Sequence, residues 1–398
     1  MKGKRSVPEV SKRYSSGIVS VWTGSLDDPA FWEAMQSAHK DQEVEFALLF
    51  FSKQTFFAEA LAAKMAAECP DIRYAACSTA GEITPEGVED GQLVGVLFPA
   101  DSFTIRPIRI SHAAGAGFEK IVSQVGAEKR EFLQEVGGAG AGQTYAVCLH
   151  DGLSFAEETV TAALHWGLDD IPLLGGSAGD DMNFVDTQLI LNGEILKDSA
   201  ILMLCQSQIP FRIFKTDNFV PTGNKLVVTR SDPDRRIVYE FNAAPAVEEY
   251  ASHIGEDAAS LTPLSFASHP LVVRVGGEYY CRSIQKMNDD GSLSFLCAID
   301  DGIVLTIAEP EGMAQRTETA FEDIERELGA IDMVLGFDCV LRKVDAHSRQ
   351  VLRRVSEIYQ KNNVVGFNTY GEQYISMHLN QTFTGIAFES TDQQERAT

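Results

Sequence analysis

The sequence predicts an α/β protein of two domains, in which mixed β-sheets with flanking helices are built from repeated β-α-β-turn units. Three observations predict it. A strand-like apolar run, a helix-period stretch and a second apolar run recur in that order at 45–82, 143–180 and 331–372. Each copy ends in the same turn chemistry of hydroxyl, any residue, Gly and acid: Thr79-Ala80-Gly81-Glu82, Ser177-Ala178-Gly179-Asp180 and Thr369-Tyr370-Gly371-Glu372. With 398 residues the chain is also too long for one ordinary core.

In the first copy "EFALLFFS" reads as a buried strand, "TFFAEALAAKMAAEC" as a helix and "IRYAACSTAGE" as a strand entering the turn. The second copy gives "QTYAVCLHD", "FAEETVTAALHWGL" and "IPLLGGSAGD"; the third gives "IDMVLGFDCVLR", "AHSRQVLRRVSEIYQKN" and "VVGFNTYGE". A further strand follows each turn: "QLVGVLFP", "SAILMLCQ" and "TFTGIAFE". Strands joined through one helix in so few residues are expected to pair in parallel with a right-handed crossover. Elsewhere "SFTIRPIRIS", "FRIFKT", "KLVVTRSD" and "RRIVYEF" read as strands, Asn192-Gly193 signals a hairpin, and helices are expected near 243–254 and 312–329. "VGGAGAGQT" at 136–144 reads as a connection. Turn signals in "SDPDRR" and "NAAP" place a boundary near 232–243, giving domains at 17–235 and 236–392 after a disordered lead-in at 1–16.

Composition narrows the function. Hydrophobic content of 44% and charged content of 23% are those of a soluble globular protein. A formal charge of −24 opposes nucleic acid and anionic membrane alike. No segment reaches the roughly 18 apolar residues of a membrane span, and the basic N-terminus lacks the apolar run of a secretory signal. The seven cysteines are scattered through apolar runs without a Cys-x-x-Cys pair, which fits reduced thiols in a cytoplasmic protein.

"CSTAGEI", "DGLS" with "PLLGGSAGDD", and "GFNTYGEQY…MHLNQTFTGIAF" resemble the landmarks of FIST proteins, over about residues 40 to 390. The resemblance implies a FIST N-like and a FIST C-like domain acting as an intracellular ligand-sensing module. The last motif is similar to a bacterial branch of nitric-oxide-sensing haem proteins. That likeness implies haem b, a diatomic gas ligand, and a partner histidine kinase or cyclic-di-GMP enzyme. Two alternatives stand beside it: a FIST module that senses an amino-acid-like metabolite without haem, and an uncharacterised hydrolase. A homodimer is left open.

The candidate residues each have a plainer reading. Gly81, Gly179 and Gly371 can let backbone N–H groups cradle an anion such as a haem propionate; more simply, Gly turns the chain and the acid caps an N–H or faces solvent. Neither a phosphate loop nor a G-x-S-x-G elbow is present, so Ser78, Ser154, Ser177 and His150-Asp151 name no triad. For haem iron the best candidate is His378, inside the branch motif with Tyr374 and Met377 nearby, and His150 and His347 are the runners-up. Thr369, Tyr370 and Gly371 are pocket candidates, and Arg342 is a candidate fork for a propionate. His39, His112, His165, His253 and His269 read as surface or core-edge residues, and Cys69-Pro70 as the end of a helix.

Overall fold

A computed structural model describes residues 10–111, 117–137 and 143–391. The repeat is longer than its sequence signal. Each unit has an edge strand, a helix, a central strand, a crossover helix, a second strand, the turn, a short hairpin and a return strand. In unit 1 these run from Val19–Thr23 through Pro29–Asp41, Val44–Phe51, Ala58–Glu68, Tyr74–Ser78 and the hairpin Glu82–Thr84/Gly87–Glu89 to Leu93–Pro99. Unit 2 follows the same order from Phe103–Ser111 to Ser199–Ser207, and unit 3 from Phe211–Thr216 to Phe383–Glu389. The expected parallel pairs form in all three units: Val44–Phe51 with Tyr74–Ser78, Thr144–His150 with Leu173–Ser177, and Ile331–Cys339 with Val364–Thr369. The return strand pairs antiparallel on the other side of each central strand.

Burial on both faces explains the continuous apolar runs. Along Val44–Phe51, Phe46, Leu48 and Phe50 face inward, where they meet Leu149, Leu174, Phe337, Phe367 and Phe388 in one core shared by the three sheets. Ala47, Leu49 and Phe51 face outward onto Phe31, Met35, Leu61 and Met65 of the unit's own helices. Units 2 and 3 have the same helix-covered outer layer.

The hairpins lock the units together by exchange. The hairpin of unit 1 pairs with the second strand of unit 3, that of unit 3 with unit 2, and that of unit 2 with unit 1, always antiparallel. The exchange closes a ring, so no unit's sheet is complete without its neighbour. The unit 2 hairpin, Leu189–Leu191 and Glu194–Leu196, turns through Asn192 and Gly193, both at positive φ as the Asn-Gly signal requires.

Several sequence expectations change. The strand expected to reach Arg342 stops at Cys339, and Val340–Ser348 is helix. The single helix expected at 346–362 is broken: Gln350 takes φ +60° between Val340–Ser348 and Leu352–Lys361. Part of the expected lead-in is ordered, since Ser11–Arg13 pairs with Val19–Thr23; residues 1–9 lie outside the described residues, as do His112 and most of the connection at 136–144. The boundary expected near 232–243 falls inside an eight-stranded sheet, running from Phe219–Asp232 to Val304–Pro310, inserted between the edge strand and first helix of unit 3. Among the described residues no helix is long and apolar enough to cross a membrane.

Candidate functional site

The three turns meet where the units join, and backbone hydrogen bonds close them into a ring. Ala80 N donates to Asn368 O (2.9 Å) and Asn368 N to Gly81 O (2.7 Å), linking units 1 and 3. Gly179 N donates to Ser78 O (3.0 Å) and Asp181 N to Thr79 O (3.1 Å), linking units 2 and 1. Tyr370 N donates to Ser177 O (3.1 Å) and Ser177 N to Gly371 O (2.8 Å), linking units 3 and 2. The repeated turn is therefore a joint between units, which is why its chemistry recurs.

The turn acids do not face solvent. Glu82 accepts from the Thr79 hydroxyl and from Gln92 N (2.9 Å), and Glu372 accepts from the Thr369 hydroxyl, Thr382 N (3.2 Å) and Thr382 Oγ1 (2.6 Å). Each carboxyl thus ties its turn to the start of its own return strand. Burial pushes both up to about 8, against the partial relief of these hydrogen bonds. Asp180 plays a different part: it accepts the N–H groups of Phe184, Val185 and Asp186 and the Tyr370 hydroxyl.

A cleft of about 470 Å³ opens over the unit 1 turn. Ala80, Val340, Val344, Leu352, Leu264 and Met182 supply apolar walls; Lys343, Asp90, Asp181, His347, Ser348 and Gln54 supply the polar groups. Lys343 comes from the unit 3 helix Val340–Ser348, and its ammonium donates to Ala80 O (3.3 Å) and pairs with Asp90. Gly81 makes this possible twice over. It takes φ +133°, and a Cβ there would overlap the Lys343 ammonium. Asp181 accepts from Ser52 Oγ and from Gln54 N (3.2 Å), and burial raises its carboxyl above the ordinary value.

The loop over this cleft is the segment that unit 2 inserts between its turn and its hairpin. Asp181, Met182 and Phe184 all take positive φ, at 56°, 64° and 54°. Such conformations strain a Met or Phe backbone and gather at functional sites. Phe184 stacks on Tyr370, with ring centroids 4.5 Å apart, so the loop is anchored on the unit 3 turn.

The sequence candidates divide accordingly. His347 lines the cleft. Tyr370 holds the strained loop, whereas Thr369 and Gly371 are buried in the ring joint. Tyr374 lies elsewhere, on a separate groove with Arg212 and Glu278. Met377 is part-buried in the unit 3 hairpin, and His150 is buried at the end of the unit 2 central strand, beside Ser177. Arg342 faces inward: Nε donates to Asp338 (2.8 Å) and the terminal nitrogens to Asn218 (2.7 Å) and Thr317 (3.2 Å), so its fork is already occupied. Ser78 and Ser177 are buried, accepting from Gln188 N and Gln373 Nε2, and neither is reachable as a nucleophile.

His378 occupies the hairpin position that the other units fill with Val88 and Ile195. Its Nδ1 accepts from Gln373 Nε2 (3.2 Å), which puts the ring proton on Nε2. Burial lowers it to about 4, opposed by the Glu158 carboxylate. Nε2 is buried beside the Leu296 backbone, which acts on it as a weak hydrogen-bond acceptor, and its space is filled. A Cβ on Gly371 would overlap His378 Cε1 and lie 2.7 Å from Nε2, so the ring is seated against the turn backbone. A porphyrin does not fit at His378 in this arrangement. Gly371→Ala is accordingly expected to displace His378 and cost about 1–3 kcal/mol, as overpacking does. Urea unfolding checks it, with part of the loss recovered in Gly371→Ala/His378→Ala; an unchanged midpoint would contradict the contact.

Comparison with known proteins matches the FIST N domain over residues 45–244 and the FIST C domain over residues 246–375. The chain belongs to the FIST family. FIST domains are sensory modules for small-molecule signalling, and here the FIST N and FIST C matches meet inside the inserted eight-stranded sheet. The FIST chain is also similar to an uncharacterised protein of Methanocaldococcus jannaschii, 24% identical over 254 residues. That likeness covers 55% of this chain and spans about half, 49%, of the archaeal protein.

Proposed function

We propose that this FIST protein senses a small amino-acid-like zwitterion in the cleft over the unit 1 turn and passes the signal to a protein partner. The observation that carries this reading is the charge arrangement within apolar walls: the Lys343 ammonium beside the Ala80 carbonyl, with Asp90 and Asp181 lining the same cleft. Lys343 suits a ligand carboxylate, Asp90 and Asp181 suit its ammonium, and Val340, Val344 and Leu352 suit an apolar side chain. A volume of about 470 Å³ lies within the range of small-molecule pockets. The ligand carboxylate would compete with Asp90 for Lys343, loosening a tie between units 1 and 3. Binding would thereby favour one relation of the units over another.

A thermal-shift screen of the free amino acids and related zwitterions tests it. One of them should raise the melting temperature saturably, as a ligand of the folded state does by mass action. Lys343→Met should weaken that ligand by about tenfold or more, the loss of one charge-assisted contact. No stabilising zwitterion, or one that Lys343→Met binds equally well, would remove the cleft reading. A saturable Soret band with haemin that His378→Ala abolishes would instead favour the haem gas sensor.

A further inference from the structure

We propose that the edge strand Phe211–Thr216 of unit 3 is a docking site for an extended, basic peptide segment of a partner protein, which adds to the sheet as one more strand. The proposal is independent of the ligand cleft.

The edge has open backbone groups. Glu389 N donates to Pro210 O (2.9 Å), which fixes the phase of the antiparallel ladder with Phe383–Glu389. Bonded pairs alternate along such a ladder, so Arg212, Phe214 and Thr216 face the return strand. The N–H and C=O groups of Phe211, Ile213 and Lys215 point outward, and none of them has a hydrogen-bond partner among the described residues. Proteins normally blunt such an edge with a proline, a bulge, extreme shortness or charged side chains; here the two charged side chains, Arg212 and Lys215, are each held by an acid of this chain. The equivalent edge of unit 2, Phe103–Ser111, carries Pro107. The edge of unit 3 runs six residues in unbroken register without a proline.

Unit 1 shows what belongs there. Its equivalent edge, Val19–Thr23, is covered by an added antiparallel strand, Ser11–Arg13, of sequence Ser-Lys-Arg. The same repeat therefore already accepts a short basic strand at this position in one of its copies. In unit 3 the open edge borders a groove of about 460 Å³ shared with the helix Met313–Leu328, with Phe214, Ala320 and Ile324 providing apolar contact. The groove's own cations are paired, Arg212 with Glu327 (2.8 Å), Lys215 with Asp217 (3.0 Å) and Arg316 with Glu311 (3.4 Å) and Asp217 (3.7 Å). Glu278 lines the groove without an ion pair among the described residues, and the chain as a whole carries −24. Strand addition takes its affinity from main-chain hydrogen bonds and its selectivity from alternate side chains, so the matching segment alternates apolar residues with Lys or Arg.

The test uses the full chain and a fluorescent hexapeptide of alternating valine and lysine, capped at both ends. Saturable binding is expected, with hydrogen exchange at the Ile213 and Lys215 amides slowed about tenfold or more at saturation. The same peptide N-methylated at alternate residues should not bind, and Glu278→Lys should weaken binding severalfold. No saturable binding, unchanged exchange at Ile213 and Lys215, equal binding by the N-methylated peptide, or equal binding by a valine–glutamate peptide would each overturn the proposal.

Discussion

Arg342→Ala is expected to cost about 3–5 kcal/mol, the range for removing one partner of a buried ion pair. Arg342 and Asp338 are both buried, 2.8 Å apart, on either side of the junction at Cys339–Val340 where the unit 3 central strand becomes helix. The guanidinium also reaches Asn218 at the start of the inserted sheet and Thr317 on the helix before the central strand. One side chain thus joins three stretches of chain that lie far apart in sequence. Without it, Asp338 loses its closest cation at a site where burial already raises its carboxyl. Arg342→Lys should recover little, because an ammonium cannot span the fork that meets three acceptors. Arg342→Met combined with Asp338→Leu should be markedly more stable than Arg342→Met alone, since the orphaned charge goes with its partner. Urea midpoints across this series measure it; a loss below about 1 kcal/mol for Arg342→Ala would mean that the pair contributes like an exposed one.

The contrast between the expected and observed roles of Arg342 shows what sequence carries and what it does not. Central strands, crossover helices and return strands were legible because each is a local pattern: "EFALLFFS" must be buried on both faces whatever surrounds it. The strand-to-helix change at Cys339–Val340 was not, because "CVLR" is apolar in either state and only tertiary contacts choose. The hairpins of units 1 and 3 were missed for a related reason, whereas Asn192-Gly193 marked that of unit 2. "EITPEGVE" and "EQYISMHL" contain three-residue strands with little apolar alternation, stabilised by pairing with another unit rather than by their own sequence.

The candidate site was partly visible. The recurring hydroxyl–x–Gly–acid turn leads to the neighbourhood of the proposed cleft, but the turn's repetition reflects the ring joint. The cleft is assembled from Ala80, Asp181 and Lys343, one residue near each turn of units 1 and 2 and one helix of unit 3, so no local motif spells it. A signal did exist. Unit 2 alone separates its turn from its hairpin by the segment "DMNFVDTQ", and that departure from the repeat is the strained loop over the cleft. His378 is a second departure, a polar residue where two copies keep an aliphatic one, and there the structure gives a buried neutral imidazole.

Stability is expected to fall as pH rises from about 6.5 to about 8, and Glu82→Gln with Glu372→Gln should remove most of that slope. Burial pushes both carboxyls up to about 8 from an ordinary 4.5, so the folded chain keeps protons that the unfolded chain has released. Stability therefore declines through the window between 4.5 and 8 as pH increases. His378 acts with the opposite sign. Lowered to about 4 from 6.5, it makes the folded chain hold fewer protons than the unfolded one between those values, so stability rises with pH there. The two carboxyls outweigh the histidine between 4.5 and 6.5. Up to about 7 they act together with Glu157, whose carboxyl is likewise pushed up to about 7 by burial. Above about 8 the buried thiols add to the decline, as the unfolded chain begins to release their protons. Each tenfold difference in proton affinity between folded and unfolded chain is worth about 1.4 kcal/mol, so two such carboxyls can account for several kcal/mol across their full window. Glutamine keeps an oxygen for Gln92 N or Thr382 N and an amide for the threonine hydroxyls, but carries no charge to bury. Each single variant should lose a similar share of the slope in urea midpoints measured from about pH 7 to 8, and the double variant most of it. His378→Leu should leave that slope intact while steepening the fall between pH 4.5 and 6.5, where the histidine partly offsets the carboxyls. A double glutamine variant that keeps the full slope of the parent chain between about pH 7 and 8 would show that the slope does not arise at Glu82 and Glu372, and would overturn their protonation in the folded chain.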